Sequence, residues 1–275
     1  MAWYCSGSTN MELIENLSKT GLIKNERVKD AMIRSIACKS AVARQLCSRA
    51  TASGEAAYWY SSSDIAHKVD RAHYAPSRPY SDSPQPIGHG ATISAPHMHG
   101  HACEYLIDFI KPGSRVLDIG SGSGYLTHVM ANLALDPSYP EAPKGCVIGV
   151  DHIPELVDLA YNNMRKSEQG RNFLDTGVVK FVTADGRLGW KENAPYDAIH
   201  VGAAAETLHP VLVEQLRAPG RMFIPVDAEN DGGIIKNIGF GGRQYIWVVD
   251  KKEDGSVHRE KVFPVSYVPL TDRPR

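Results

Sequence analysis

Hydrophobic spacing changes character along the chain. Near the start, Leu13, Ile14 and Leu17 recur at helical intervals. Thr9, with Glu12 three residues on, forms a capping box that starts a helix there, and Gly21 is placed to stop it. Val28, Ala31 and Met32 repeat the spacing and predict a second helix. Residues 36–67 then hold no sustained period. They are rich in Ala and Ser, with at most a short helix over 41–46, and read as a loosely packed or partly disordered insertion. Residues 74–86 are punctuated by proline and read as irregular, extended chain.

From Arg115 the pattern becomes regular. Short apolar runs at 115–119, 146–150, 178–183, 196–201 and 221–226 read as strands. Helical patterns at 125–135, 154–166 and 210–216 separate them. Alternation of this kind builds βαβ units, and so a parallel sheet with helices on both faces. Residues 244–249 and 262–268 flank Asp254-Gly255 and read as an antiparallel hairpin at a sheet edge. The expected fold is α/β: a doubly wound, Rossmann-like sheet, mostly parallel, with an antiparallel edge hairpin and N-terminal helices. It is expected as one domain over 1–275, in which 1–110 form a helical, substrate-facing region and 111–275 the cofactor-binding core.

A chain of 275 residues is long enough to bury a substantial core. Its 30 Lys and Arg balance 31 Asp and Glu for a net charge of −1, which speaks against a nucleic-acid partner. No apolar run approaches the ~18 residues that cross a bilayer. The first residues lack the basic and apolar regions of a secretory signal. Cys5, Cys38, Cys47, Cys103 and Cys146 are scattered, without CxxC spacing, and suggest reduced thiols. The expectation is a monomeric cytosolic protein with no membrane partner.

The candidate chemistry begins at Asp118-Ile-Gly-Ser-Gly-Ser-Gly, which follows the first sheet strand and opens a helix. Glycines at 120, 122 and 124 let a ligand approach the backbone. The dinucleotide fingerprint GxGxxG would need its third glycine at 125, where Tyr125 stands. A P-loop would need Lys-Ser/Thr after the last glycine, and a nucleophile elbow would need a central Ser. What remains is Asp-x-Gly-x-Gly-x-Gly, which resembles the first motif of class I methyltransferases, whose cofactor, S-adenosyl-L-methionine, carries a cationic sulfonium. Asp118 suits that positive charge. Asp151, ending the second strand, is placed to accept ribose hydroxyls, and Asp185-Gly186, ending the third, to meet an adenine amino group.

His97, His99 and His101 alternate in a run that invites a metal reading. Ser94 and Pro96 start a helix there, however, and on a helix His99 points away from the other two, so no metal site is expected. Ser94 and His99 are expected to face the cofactor.

Several runs together resemble the eukaryotic type of protein-L-isoaspartate (D-aspartate) O-methyltransferase. They are Asp70-Arg-Ala-His-Tyr, Tyr80-Ser-Asp-Ser-Pro-Gln-Pro-Ile-Gly, Ala91-Thr-Ile-Ser-Ala-Pro-His-Met-His, Ala194-Pro-Tyr-Asp-Ala-Ile-His-Val-Gly-Ala-Ala-Ala and Tyr267-Val-Pro-Leu-Thr-Asp. The likeness covers residues 1–35 and 68–272. It implies methylation of the α-carboxylate of L-isoaspartyl and D-aspartyl residues in damaged proteins and peptides, which starts repair through a succinimide. Carried over by position, Ser94 matches the family's active-site residue. Ala91, Thr92, Ile93, His99, Ser123, Asp151, Asp185, Gly186 and Thr271 match cofactor contacts, beside Gly120 and Gly122 of the turn. A carboxylate with a pKa near ~4 needs no general base at neutral pH, so hydroxyls such as Thr92 and Ser94 need only orient it.

The chain departs from the family pattern at 36–67 and at the Gly-rich 227–242. Rival readings on the same fold are a methyltransferase for a small molecule or another protein substrate, and a variant that binds cofactor without turnover. Base methylation is disfavoured because the fourth strand ends in His200-Val-Gly-Ala-Ala-Ala rather than Asn/Asp-Pro-Pro-Tyr/Phe.

Overall fold

A computed structural model describes residues 5–33, 69–135, 145–227 and 244–271. The expected insertion with its 41–46 helix, and nearly all of the divergent 227–242 segment, lie outside the described residues.

Helices α1 (Asn10–Lys19) and α2 (Glu26–Met32) form where the spacing predicts them, with Leu13, Ile14, Leu17, Val28 and Met32 fully buried. Thr9 accepts from the Glu12 amide at 3.2 Å, one half of the capping box. The other half is shifted: the Glu12 carboxylate takes the amide and hydroxyl of Ser8 instead of the cap residue. Buried Asn10 donates to the carbonyls of Met32 and Val69, tying the end of α2 to residue 69.

The expected irregular stretch over 74–86 is corrected only at its end, where residues 85 and 86 enter regular structure. Residues 85–93 are a two-stranded antiparallel ribbon, β1 (Gln85–Gly88) and β2 (Ala91–Ile93). Pro86 is tolerated because a two-stranded ribbon leaves one side of each strand unpaired. Helix α3 (Pro96–Leu106) follows. Its cap is Ala95, which makes no side-chain cap, and Pro96 opens the first turn, so the Ser94 hydroxyl is not used for capping.

The sheet elements come in the order β3 (Arg115–Ile119), α4 (Tyr125–Leu133), β4 (Cys146–Asp151), α5 (Pro154–Met164), α6 (Glu168–Asp175), β5 (Val179–Thr183), β6 (Tyr196–Val201), α7 (Pro210–Gln215), β7 (Leu216–Asp227), β8 (Gln244–Lys251) and β9 (Val257–Val265). Across the sheet the order is β5-β4-β3-β6-β7-β8-β9. The first five strands are parallel, and β8 and β9 add antiparallel at one edge. Alternation along each strand sends Val116, Val147 and Ala198 into one core and Leu117, Ile148 and Ile199 into the other. The chain winds outward from β3 through β4 to β5, then returns to place β6 on the other side of β3. That reversal opens a crevice at the carboxyl ends of β3, β4 and β6.

Candidate active site

The turn after β3 is pinned from below. Gly120 and Ser121 donate their amides to the Val150 carbonyl at 2.8 and 3.0 Å. Gly120 and Gly122 line a cavity of about 240 Å³. Gly124 does different work: with φ 83 it caps α4, and a Cβ there would stand 3.0 Å from Ala160 Cβ and Phe181 Cζ. The third glycine thus serves helix packing rather than ligand approach.

Asp151 closes β4 and lines the same cavity. Its Oδ2 accepts from the Gly122 amide at 3.0 Å and its Oδ1 from the Ile153 amide at 3.1 Å. Burial raises its pKa, against the pull of those two amides. With the His152 amide as a third donor, the carboxylate still keeps acceptor capacity for a further one. Ala91, Thr92, Gly186 and Thr271 also line this cavity.

Other expected residues stand elsewhere. Asp118 is buried and does not line the cavity: Oδ2 accepts from Thr127 Oγ1 at 2.5 Å, and Oδ1 lies 2.8 Å from His200 Nδ1. It braces β3 against α4 and β6. The Asp185 carboxylate turns to Arg187, whose amide and guanidinium it accepts, and this holds its pKa down; Gly186 alone reaches the cavity. Ile93 and Ser123 are buried behind the lining.

His99 faces neither the cavity of Asp151 nor the one beside it. It is buried, its Nδ1 3.2 Å from Arg71 Nη1 and its ring 5.0 Å from that of Tyr125. Burial and the guanidinium hold its pKa well down, so it is neutral. Arg71, itself fully buried, also donates from Nη2 to the Ser94 carbonyl at 2.8 Å. His97 pairs through Nδ1 with Asp82 at 2.8 Å, and the His101 ring meets Phe263. The three histidines therefore have three separate partners.

Ser94 and His97 line a second cavity, of about 530 Å³. The two cavities share Thr92, Gly202 and Val268. Three parts of this site were not among the expected site residues: Gly202 and Ala203 at the end of β6, His89 in the ribbon turn, and the segment Val268–Pro269–Leu270. Ala204 holds that segment by accepting from Leu270 at 2.7 Å and donating to Val268 at 2.8 Å. The signal available was the small-residue run after His200, too short to show which segment it would receive.

Comparison with known proteins agrees with this geometry. The family model for protein-L-isoaspartate(D-aspartate) O-methyltransferase matches residues 60–275. A protein-L-isoaspartate O-methyltransferase of Caenorhabditis elegans is 39% identical over 275 residues, 99% of this chain and 97% of its own length. One from Triticum aestivum is 44% identical over 212 residues, 76% of this chain and 83% of its own. A Plasmodium falciparum crystal structure assigned to the same class of enzyme, in complex with S-adenosyl-L-homocysteine, superposes with a TM-score of 0.72 at 29% identity, covering 96% of this chain and 99% of that one.

Proposed function

The chain belongs to the protein-L-isoaspartate(D-aspartate) O-methyltransferase family, and from that premise we propose how its residues divide the work. It is an S-adenosylmethionine-dependent enzyme that methylates isoaspartyl residues of proteins and peptides. S-adenosylmethionine, when bound, supplies a methyl group on a sulfonium, which a carboxylate oxygen displaces.

The first cavity fits that cofactor. The Asp151 carboxylate keeps acceptor capacity for a ribose hydroxyl. At Gly186 a Cβ would fall 2.4 Å from Ile119 Cγ2, so no side chain fits and the backbone stays open to a base edge. Ala91, Thr92, Gly120, Gly122 and Thr271 complete the holding surface. Ile93, Ser123, His99, Asp118 and Asp185 act from behind it, by fixing the backbone that does the holding.

Thr92 and Ser94 orient the acceptor carboxylate from the second cavity. The observation that supports this reading most directly is the shared wall: at Thr92, Gly202 and Val268 an acceptor in one cavity meets a donor in the other. Alignment is the main requirement, because the acceptor is already ionised and proximity alone is worth several kcal/mol. The acceptor we assign is the α-carboxylate of L-isoaspartyl, and of D-aspartyl, residues. In the ester, the neighbouring backbone nitrogen attacks the activated carbonyl and expels methanol. The resulting succinimide opens with water, in part to a normal aspartyl linkage.

The enzyme acts as a monomer in the cytosol and does not engage nucleic acid. A net charge of −1 and free thiols at Cys5, Cys103 and Cys146 support that setting.

The test is methyl transfer from labelled S-adenosylmethionine to a peptide holding one isoaspartate, beside its normal-aspartate twin. Base-labile label on the isoaspartyl peptide alone is expected. Equal labelling of both peptides, or of neither while S-adenosylhomocysteine still binds, overturns the substrate assignment.

A further inference from the structure

The second cavity has a hydroxyl that the division of labour above leaves unused. Tyr267 lines it together with Ser94. The residue is held rigidly at its backbone: Gln244 Oε1 accepts the Tyr267 amide at 2.6 Å, and Gln244 Nε2 donates to its carbonyl at 3.3 Å. Gln244 opens β8, so the position of Tyr267 is set by the sheet edge rather than by a free tail. The next residues, Val268 to Thr271, cross into the first cavity. Tyr267 therefore sits on a segment that borders both cavities, as the segment of Thr92 and Ser94 does, on the substrate side of their shared wall.

We infer that Tyr267 is a second catalytic hydroxyl, which donates a hydrogen bond to the acceptor carboxylate and works as a pair with Ser94. The inference rests on the reading of the second cavity as the acceptor site. Its chemistry suits the reaction. Methyl transfer from a sulfonium to a carboxylate destroys two opposite charges, so a cation paired with the acceptor would stabilise the reactants more than the transition state. Neutral hydroxyls fix the carboxylate with a smaller penalty of that kind. Burial pushes the Tyr267 phenol up to about 12, against the opposing pull of a hydrogen bond with the Ser94 side chain, which holds the two hydroxyls side by side. A phenol so weakly acidic remains a donor throughout the neutral range and passes no proton to a carboxylate. Two donors on one carboxylate also fix its plane, and so which oxygen faces the shared wall.

The experiment uses the full chain with Tyr267→Phe, Ser94→Ala and the double variant. Phe keeps the ring, so packing against the sheet edge is preserved. The expected result is a fall of about tenfold or more in kcat/KM for the isoaspartyl peptide, a step equal to ~1.4 kcal/mol, with S-adenosylhomocysteine affinity within about twofold of wild type. The double variant should lose less than the product of the two single losses, because hydroxyls acting on one carboxylate are not independent. Wild-type kcat/KM in Tyr267→Phe, or a loss of cofactor affinity that matches its loss of activity, overturns the assignment while leaving the functional reading intact. Strictly multiplicative losses overturn the pairing. A wild-type enzyme that labels no isoaspartyl peptide overturns the functional reading, and this inference with it.

Discussion

Asp151 Oδ2 accepts the amide of Gly122 at 3.0 Å, so the end of β4 and the turn after β3 are joined at the first cavity, which both line. The same carboxylate takes the Ile153 amide on its other oxygen. One side chain thus sets the shape of the loop and presents the acceptors.

Asp151→Asn turns one acceptor oxygen into an NH2 group that faces a backbone N–H. The expected outcome is a loss of S-adenosylhomocysteine affinity of roughly 10- to 100-fold, from the ~1.5–3 kcal/mol of a charged hydrogen bond. Calorimetric titration measures it. Because burial raises the pKa of Asp151, affinity should also weaken on acidification sooner than an ordinary carboxylate would dictate. An unchanged dissociation constant would remove Asp151 from the cofactor site.

Ser94→Ala separates binding from methyl transfer. The hydroxyl does not cap α3, whose cap residue is Ala95, so the substitution should leave the melting temperature nearly unchanged. Arg71 holds the Ser94 carbonyl, not its side chain, and that contact survives. Methyl transfer should fall about tenfold or more while cofactor affinity holds, the mark of an interaction made with the acceptor. Parallel kinetics and titration decide it. Equal loss in both would move Ser94 into the cofactor site.

The sheet was legible because its strands are buried on both faces. Residues 115–119 and 196–201 read as short, mostly apolar runs that stop at a glycine turn or a small-residue run, and the strands formed there. Helix α6 was not legible, because only Gly170 and Phe173 of its eight residues are buried, and no period stands out. The ribbon at 85–93 was not legible, because its first strand begins at Gln85-Pro86, inside a proline-punctuated stretch. At the site, Asp151 could be placed because a strand end fixes its position. Asp118 sits equally at a strand end, yet its side chain is claimed by Thr127 and by His200, 82 positions away. No local pattern carries such a partner. His99 likewise has a distant partner, Arg71, 28 positions earlier.

Gly124→Ala tests whether the third glycine packs or binds. An alanine at φ 83 costs ~1–2 kcal/mol in the backbone alone. Its methyl would also press on Ala160 and Phe181 at 3.0 Å. The melting temperature should fall by roughly 3–8 °C at the ~2–4 °C per kcal/mol expected for a chain of this size. Added S-adenosylhomocysteine should recover part of the loss, because the cavity glycines at 120 and 122 are untouched. A variant of wild-type stability that no longer binds would reverse the assignment.

Buried His128 predicts how stability responds to acid. Its Nδ1 is 2.5 Å from the Tyr74 hydroxyl, its ring packs on Phe173, and burial lowers its pKa from 6.5 to about 3. The unfolded chain therefore binds a proton at this residue between pH 6.5 and about 3 while the folded chain does not. Stability is fully present above pH 6.5 and declines as pH falls through that window, by up to ~1.4 kcal/mol per pH unit for this group. His99, also buried and neutral, adds a slope of the same sign. Thermal melts from pH 7.5 to 4.5 should show the decline. His128→Gln should be less stable at pH 7, having lost packing, but should lose less on acidification, since one of the buried groups that must charge is gone. If the acid slope of His128→Gln matches that of wild type, the titration lies elsewhere in the molecule.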